Sequence, residues 1–321
     1  MTEDTGDFAE ETAVHKSSNR ASGGQRLNYL RQRFASLNFR PRRCWGQNFL
    51  LDTNLARYIA RLGAPGAGDI ILEVGCGSGL LTRHLAANGA RVIAVEIDAR
   101  LLNMAREEMS GVETASFIQA DILAGKHCIN PAVIAEVRAA LSAAGEGGKL
   151  KTISNLPYAV GTPFVANLFA SDLPWERGVF LLQDEVAERL TAHPGERMYG
   201  PLAIYASLAG KARIARRVPP TVFWPRPAVI SAVVTVFFRP RQERMALPWP
   251  KIRRILSAVF SRRRKTLRNA LSSIFPSPAA ALTTMGIDCD LRPADVAPEQ
   301  FLRLAQNMEE IGMENVASRE E

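Results

Sequence analysis

The residues with the clearest capacity for chemistry are Asn155-Leu156-Pro157-Tyr158. The exocyclic amine of adenine is a poor nucleophile, because its lone pair is delocalised into the ring. Two acceptors on its protons would hold that nitrogen in line with a methyl donor and favour a more tetrahedral, nucleophilic form. The Asn155 side-chain oxygen and the Leu156 carbonyl can serve, Pro157 stiffens the turn, and Tyr158 offers a face for base stacking. No strong base is needed before transfer, so positioning and electrostatics would carry the rate. Read alone, the same tetrapeptide is equally a turn built from Asn and Pro.

A second set of residues narrows the choice. Ile70–Val74 reads as a strand, and Gly75-Cys76-Gly77-Ser78-Gly79 follows it as a glycine-rich turn entering a helix. Glu96 ends the next strand-like run, where an acid can accept hydrogen bonds from both ribose hydroxyls. Asp121, after the third run, fits a carboxylate taking an adenine amine. Either acid alone could be an ordinary strand-end residue. A dinucleotide site would require glycine at position 80, where Leu80 stands; G-x-G-x-G is instead the spacing of S-adenosylmethionine sites, with Gly75 and Gly77 against the cofactor.

The elements that must position these groups alternate. Strand-like runs are expected at Ile70–Val74, Arg91–Glu96, Ala115–Gln119, Lys149–Ser154, Gly178–Leu182, Ala212–Val218 and Ala232–Phe238, with helices at Leu80–Asn88, Ala99–Met109 and Pro131–Ala144. Strands alternating with helices predict a parallel, doubly wound sheet. The last two runs are joined by a Pro-rich loop, which suits an antiparallel edge strand. After Arg239-Pro240, helices are expected at Lys251–Phe260, Lys265–Phe275 and Gln300–Ile311. The division that follows is a disordered tail at 1–25, a catalytic domain with an N-terminal arm at 26–240, a helical domain at 241–312 and an acidic tail at 313–321.

Charge points to the partner. From Lys211 to Phe275 there are 16 Lys and Arg against one acid, Glu243; from His15 to Leu51 there are eight Lys and Arg and no acid. Such density is self-repelling unless a polyanion meets it, and nucleic acid is the natural one. A solvated basic face is the plainer alternative. Cys44, Cys76, Cys128 and Cys289 form no C-x-x-C pair, which argues for reduced thiols and against a zinc site. No apolar run is long enough to cross a bilayer, and the acidic beginning lacks the pattern of a secretory signal, so a cytoplasmic protein is expected. No long exposed apolar helix suggests a partner chain, so a monomer is expected.

With these motifs in order, the chain resembles the ribosomal RNA adenine dimethyltransferase family over roughly Arg43 to Ile311. The resemblance rests on Gly46-Gln47-Asn48-Phe49-Leu50, Glu73–Gly79, Asn155–Tyr158, Gln183–Ala187, Phe223–Val234 and Arg263–Asn269. It implies a Rossmann-like class I methyltransferase with a seven-stranded, mostly parallel sheet and a small C-terminal helical domain. It implies that Asn48 and Leu50 contact the cofactor along with Gly75, Glu96, Asp121 and Asn155, and that Phe223 sandwiches the target base opposite Tyr158. It implies that Arg263, Arg264, Lys265 and Arg268 face RNA phosphates. The branch suggested dimethylates two adjacent adenines near the 3′ end of small-subunit ribosomal RNA, in the immature 30S particle. The large-subunit branch, linked to antibiotic resistance, and an RNA-binding assembly factor without catalysis are the alternatives. Cys76 departs from the proline common in the family's turn.

Overall fold

The structure, a computed structural model, describes residues 24–42, 45–145 and 148–308. The expected tails therefore lie mostly outside the described residues, as do Arg43, Cys44 and the middle of the glycine-rich turn after Ala144. Helix α1 spans residues 24–36. It is followed by β1 (Phe49–Leu50), α2 (Thr53–Gly63), β2 (Ile70–Val74), α3 (Leu80–Ala86), β3 (Arg91–Glu96), α4 (Ala99–Glu108) and β4 (Ala115–Gln119). Next come β5 (Leu123–Gly125), β6 (Cys128–Ile129), α5 (Pro131–Ala144), β7 (Leu150–Asn155), α6 (Gly161–Phe169), β8 (Trp175–Gln183) and α7 (Asp184–Thr191). The remainder is α8 (Pro201–Ala209), β9 (Gly210–Val218), β10 (Phe223–Trp224), β11 (Ser231–Phe238), α9 (Arg241–Met245), α10 (Trp249–Ser261), α11 (Leu267–Leu271), α12 (Pro278–Thr284) and α13 (Pro298–Gln306).

The sheet has seven strands in the order β4-β3-β2-β7-β8-β11-β9. Strand β2 runs parallel to both β3 and β7, with Ile70 opposite Arg91 and Leu150, and β3 runs parallel to β4. Every residue of β2 is buried, as a central parallel strand covered on both faces requires. Local chemistry sets the helix starts. Asp52 accepts from the Asn54 and Leu55 amides at 2.9 and 3.0 Å to cap α2, Asp98 caps α4 through Arg100, and Asn130 with Pro131 opens α5.

By internal packing the chain forms two units. One holds the described residues up to Phe164, with Arg177–Asp184 and Ala215–Thr235; the other holds Val165–Glu176, Glu185–Ile214 and the described residues from Val236. In the second unit α10 packs on α8, α11 and α13. Its core includes Arg244, with no exposed surface, whose guanidinium donates to the carbonyls of Ser171 (2.9 Å), Arg239 (3.3 Å) and Leu173. No helix among the described residues is long and apolar enough to cross a membrane.

Three expectations change in detail. The basic lead-in before Arg43 contains a helix, α1, whose Leu30 and Phe34 bury one face. The connection after β4 holds the small β5–β6 hairpin besides its helix. The helix expected over Lys265–Phe275 is confined to Leu267–Leu271, because residues 262–265 turn between α10 and α11 and Pro276 follows Phe275.

Candidate active site

Because β2, β3, β4 and β7 are parallel, their carboxyl ends share one sheet edge, where open α/β sheets gather ligands. There the first unit encloses a cavity of about 260 Å³. Its wall comprises the glycine turn after β2, Glu96 from β3, Asp121 after β4, Asn155–Val160 from the end of β7, and the Trp45–Leu50 arm. Asn48, Leu50, Gly75, Gly77, Glu96, Asp121, Asn155, Leu156, Pro157 and Tyr158 are thus brought together from segments far apart in sequence.

Glycine makes this convergence sterically feasible. A Cβ on Gly75, which sits at φ +71°, would lie 2.7 Å from Pro157 Cγ; a Cβ on Gly46 would lie 2.7 Å from the Tyr158 amide nitrogen. The cofactor-type turn and the N-terminal arm each press against the Asn155–Tyr158 segment, and neither tolerates a side chain at the contact. The Leu156 amide is anchored on Leu181 O of β8 at 3.0 Å.

The orientation of Asn155 follows from its partner. Its Nδ2 donates to the Asn48 carbonyl at 3.2 Å, which leaves Oδ1 as the acceptor end of the amide. Asn48 is itself tied back, Nδ2 donating to Gly46 O at 3.2 Å. Tyr158 is fixed at its far end: its hydroxyl shares a 2.6 Å hydrogen bond with Ser231 Oγ, a residue with no exposed surface at the start of β11. Burial raises the Tyr158 pKa and the Ser231 bond partly offsets this, so the phenol stays neutral.

The cavity's lining carries three acids, Glu73, Glu96 and Asp121, and no basic side chain among the described residues. Glu96, 6% exposed, accepts from the amides of Gly77 (3.1 Å), Ile97 (3.0 Å) and Asp98 (3.1 Å), yet burial outweighs these bonds and raises its pKa. Glu73, 1% exposed, is pushed up to about 8, by burial first and by the Glu96 charge in addition. Thr82 opposes that shift, but Glu73 Oε2 and Thr82 Oγ1 both lack a completed hydrogen bond among the described residues. Asp121 is exposed at the mouth and braced by the Leu123 amide at 2.9 Å.

Phe223 stands apart from the other expected residues. It is 3% exposed, pairs with Leu50 across β1 and β10, belongs to the hydrophobic core, and does not line the cavity. Stacking on a base would require that ring to leave the core. Sequence reasoning assigned no role to Glu73, Gly46 or Ser231. Glu73 carried a signal, an acid inside an otherwise apolar strand; Ser231 carried none.

In the second unit, Arg262, Arg263, Arg264, Lys265 and Asn269 line an open basin with Phe260 and Ser261. Arg263 Nη2 donates to Arg197 O at 2.7 Å, and residues 262–265 form a turn rather than a helix face. Arg268 is directed elsewhere, to Asp290 at 3.2 Å. Asp288, Cys289 and Asp290 bring potential ligand atoms within 4.8 Å of one another on the same stretch, with both acids exposed.

Comparison with known proteins gives the family and the fold. The family model described as ribosomal RNA adenine dimethylase matches residues 38–310. A protein of Anaeromyxobacter sp. (strain K) named ribosomal RNA small subunit methyltransferase A is 42% identical over 255 residues, covering 78% of this chain and 87% of that one. One of the same name from Magnetococcus marinus is 38% identical, covering 83% and 91%. Among solved structures, a dimethyladenosine transferase from Plasmodium falciparum superposes with TM-score 0.67 at 22% identity, covering 82% of this chain and 98% of that one. The 23S rRNA methyltransferase ErmE superposes with TM-score 0.57 at 25% identity, covering 82% and 100%.

Proposed function

Because the chain belongs to the ribosomal RNA adenine dimethylase family, we propose that it dimethylates the N6 amines of two adjacent adenosines near the 3′ end of small-subunit (16S) ribosomal RNA. The substrate is the immature 30S particle, met in the cytoplasm by a monomeric enzyme. The relatives' shared name supports the small-subunit target. The observation that carries the chemistry is the Asn155 amide, whose Nδ2 is occupied by Asn48 O so that Oδ1 is the acceptor.

The residues fit S-adenosylmethionine as methyl donor. The orphaned Glu73 oxygen and the raised Glu96 carboxyl suit a ligand carrying positive charge, and the close-packed Gly75–Gly77 turn lets a nucleoside approach the backbone. Asn48, Leu50, Gly75, Gly77, Glu96, Asp121 and Asn155 would hold it, and when bound it supplies an electrophilic methyl group. Asn155 Oδ1 and the Leu156 carbonyl would accept from the adenine amine and orient its lone pair, while Pro157 and Tyr158 fix the base plane. Tyr158, held by Ser231, provides the stacking face; Phe223 serves that role only if its ring is uncovered. Arg263, Arg264 and Lys265, and Arg268 on release from Asp290, would meet phosphates and set register rather than sequence, in an RNA-binding part assigned to 241–312.

Incubation with tritiated methyl donor and immature 30S or 50S particles tests the proposal. Label in small-subunit RNA, recovered as N6,N6-dimethyladenosine, is expected. Label confined to large-subunit RNA overturns the target, and bound RNA without transfer overturns the activity.

A further inference from the structure

We infer that Arg26, on a helix beginning upstream of the family match at residue 38, is a positioning residue that braces the glycine turn of the cofactor site. The inference rests on the reading of the first unit's cavity as that site. Ser78 is the hydroxyl-bearing residue of Gly75–Gly79; it lines the cavity and is 5% exposed. Arg26 Nη2 donates to Ser78 Oγ at 2.9 Å. The guanidinium lies 5.1 Å from the Tyr29 ring centroid on its own helix, with the Glu108 charge from the end of α4 acting favourably on it. Burial of the arginine lowers its pKa, so this hydrogen bond is made in a partly water-excluded setting.

The turn is thus held at two points. Glu96 accepts from the Gly77 amide at 3.1 Å, and Arg26 reaches the neighbouring Ser78. Helix α1 can bear this role because it is anchored independently. Leu30 and Phe34 are buried with Phe39, Phe49, Leu51, Leu101 and Met104 in a separate apolar cluster. Phe34 meets Phe49 edge-on at 4.9 Å, and the Phe49 ring lies against Gly77. Arg33 adds an ion pair to Glu107 of α4. One helix therefore touches the turn by a polar route through Ser78 and by an apolar route through Phe49. A turn of small residues has little packing of its own, so its amides depend on such braces to keep their aim.

The full-length protein and its Arg26→Ala, Arg26→Lys, Ser78→Ala and Arg26→Ala/Ser78→Ala variants are compared in two measurements. S-adenosylhomocysteine affinity by calorimetry should weaken roughly tenfold in Arg26→Ala, the scale of a lost hydrogen bond to a charged group. Arg26→Lys should recover most of it, and Ser78→Ala should add less than about twofold in the Arg26→Ala background, the signature of a coupled pair. In turnover assays KM for the methyl donor should rise with that loss while kcat changes little. In cofactor-free protein, hydrogen exchange at the Gly77–Leu80 amides should accelerate in Arg26→Ala and less in Arg26→Lys. Unchanged affinity and exchange in Arg26→Ala, or additive effects of the two substitutions, would overturn the inference. If Arg26→Ala does not fold, Arg26→Lys and Ser78→Ala decide by the same exchange readout. Failure of the wild-type protein to bind S-adenosylhomocysteine would instead sink the reading of the cavity.

Discussion

Strand β2 carries a buried acid near each end, and the two are treated in opposite ways. Asp69, just before the strand, is 6% exposed and closed into an ion pair: Lys151 Nζ lies 2.6 Å from its Oδ2 and 2.6 Å from Ala64 O. The Gly66 amide adds a third contact at 2.9 Å. Glu73, one residue before the strand's end, is more deeply buried and has no cation beside it among the described residues, Glu96 instead adding like charge. Desolvating an acid is tolerable when a counterion and hydrogen bonds are supplied, and otherwise the group holds its proton. The amino end of the sheet therefore spends its buried charge on the fold. The carboxyl end leaves one oxygen of Glu73 without a partner among the described residues, on the wall of the cavity.

The comparison breaks most visibly at the closed end. Lys151→Ala leaves Asp69 buried without its cation and should destabilise the protein by about 3–5 kcal/mol, measured by denaturant unfolding. Lys151→Met combined with Asp69→Asn should recover much of the loss. In whatever fraction remains folded, S-adenosylhomocysteine affinity should be unchanged within about twofold, since additivity holds for distant sites. A large affinity loss would mean that the two ends are not separate in function.

At the open end the sign is reversed. Glu73 ionises near 4.5 in the unfolded chain and near 8 in the fold. Between those values the folded state holds a proton that the unfolded state has lost, so this group makes stability decline as pH rises from about 4.5 to 8. Glu73→Gln removes the decline. Without cofactor, the variant should lie close to wild type near pH 5 and exceed it by roughly 4 kcal/mol at pH 9, a shift read from thermal melts. Parallel melting curves across pH would show that Glu73 is neither so buried nor so unpaired.

The smallest effect is expected at Ser231. Ser231→Ala removes the hydrogen bond that fixes the Tyr158 ring, and should lower kcat roughly three- to tenfold with cofactor affinity intact. Tyr158→Phe should match it. Ser231→Thr, which keeps a hydroxyl, should lie closer to wild type. A loss in Ser231→Ala that Tyr158→Phe does not share would assign Ser231 a different role.

Much of the sheet was legible in the sequence, because its strands are short apolar runs and its site residues sit at their ends. Ile70–Val74, Arg91–Glu96 and Ala115–Gln119 are strands over the expected residues. What could not be read depends on contacts between distant residues. The aim of the Asn155 amide is set by a carbonyl 107 positions away, and the Tyr158 ring by a hydroxyl 73 positions away. Phe223 illustrates the same limit, since its burial follows from β10 pairing with β1, which no local pattern announces. Helix α1 was obscured by its charge: three residues carry its apolar face, Leu27, Leu30 and Phe34, among basic residues that pointed to nucleic acid instead.

The central claim is that Asn155 presents an acceptor to the target amine rather than merely shaping the cofactor pocket. Asn155→Ala tests it most directly, with dimethyladenosine formation in immature 30S particles and S-adenosylhomocysteine affinity measured on one preparation. Turnover should fall about 10²–10³-fold, the scale of a lost transition-state hydrogen bond, while affinity stays within about fivefold. Abolished binding with wild-type residual turnover per bound cofactor would contradict it.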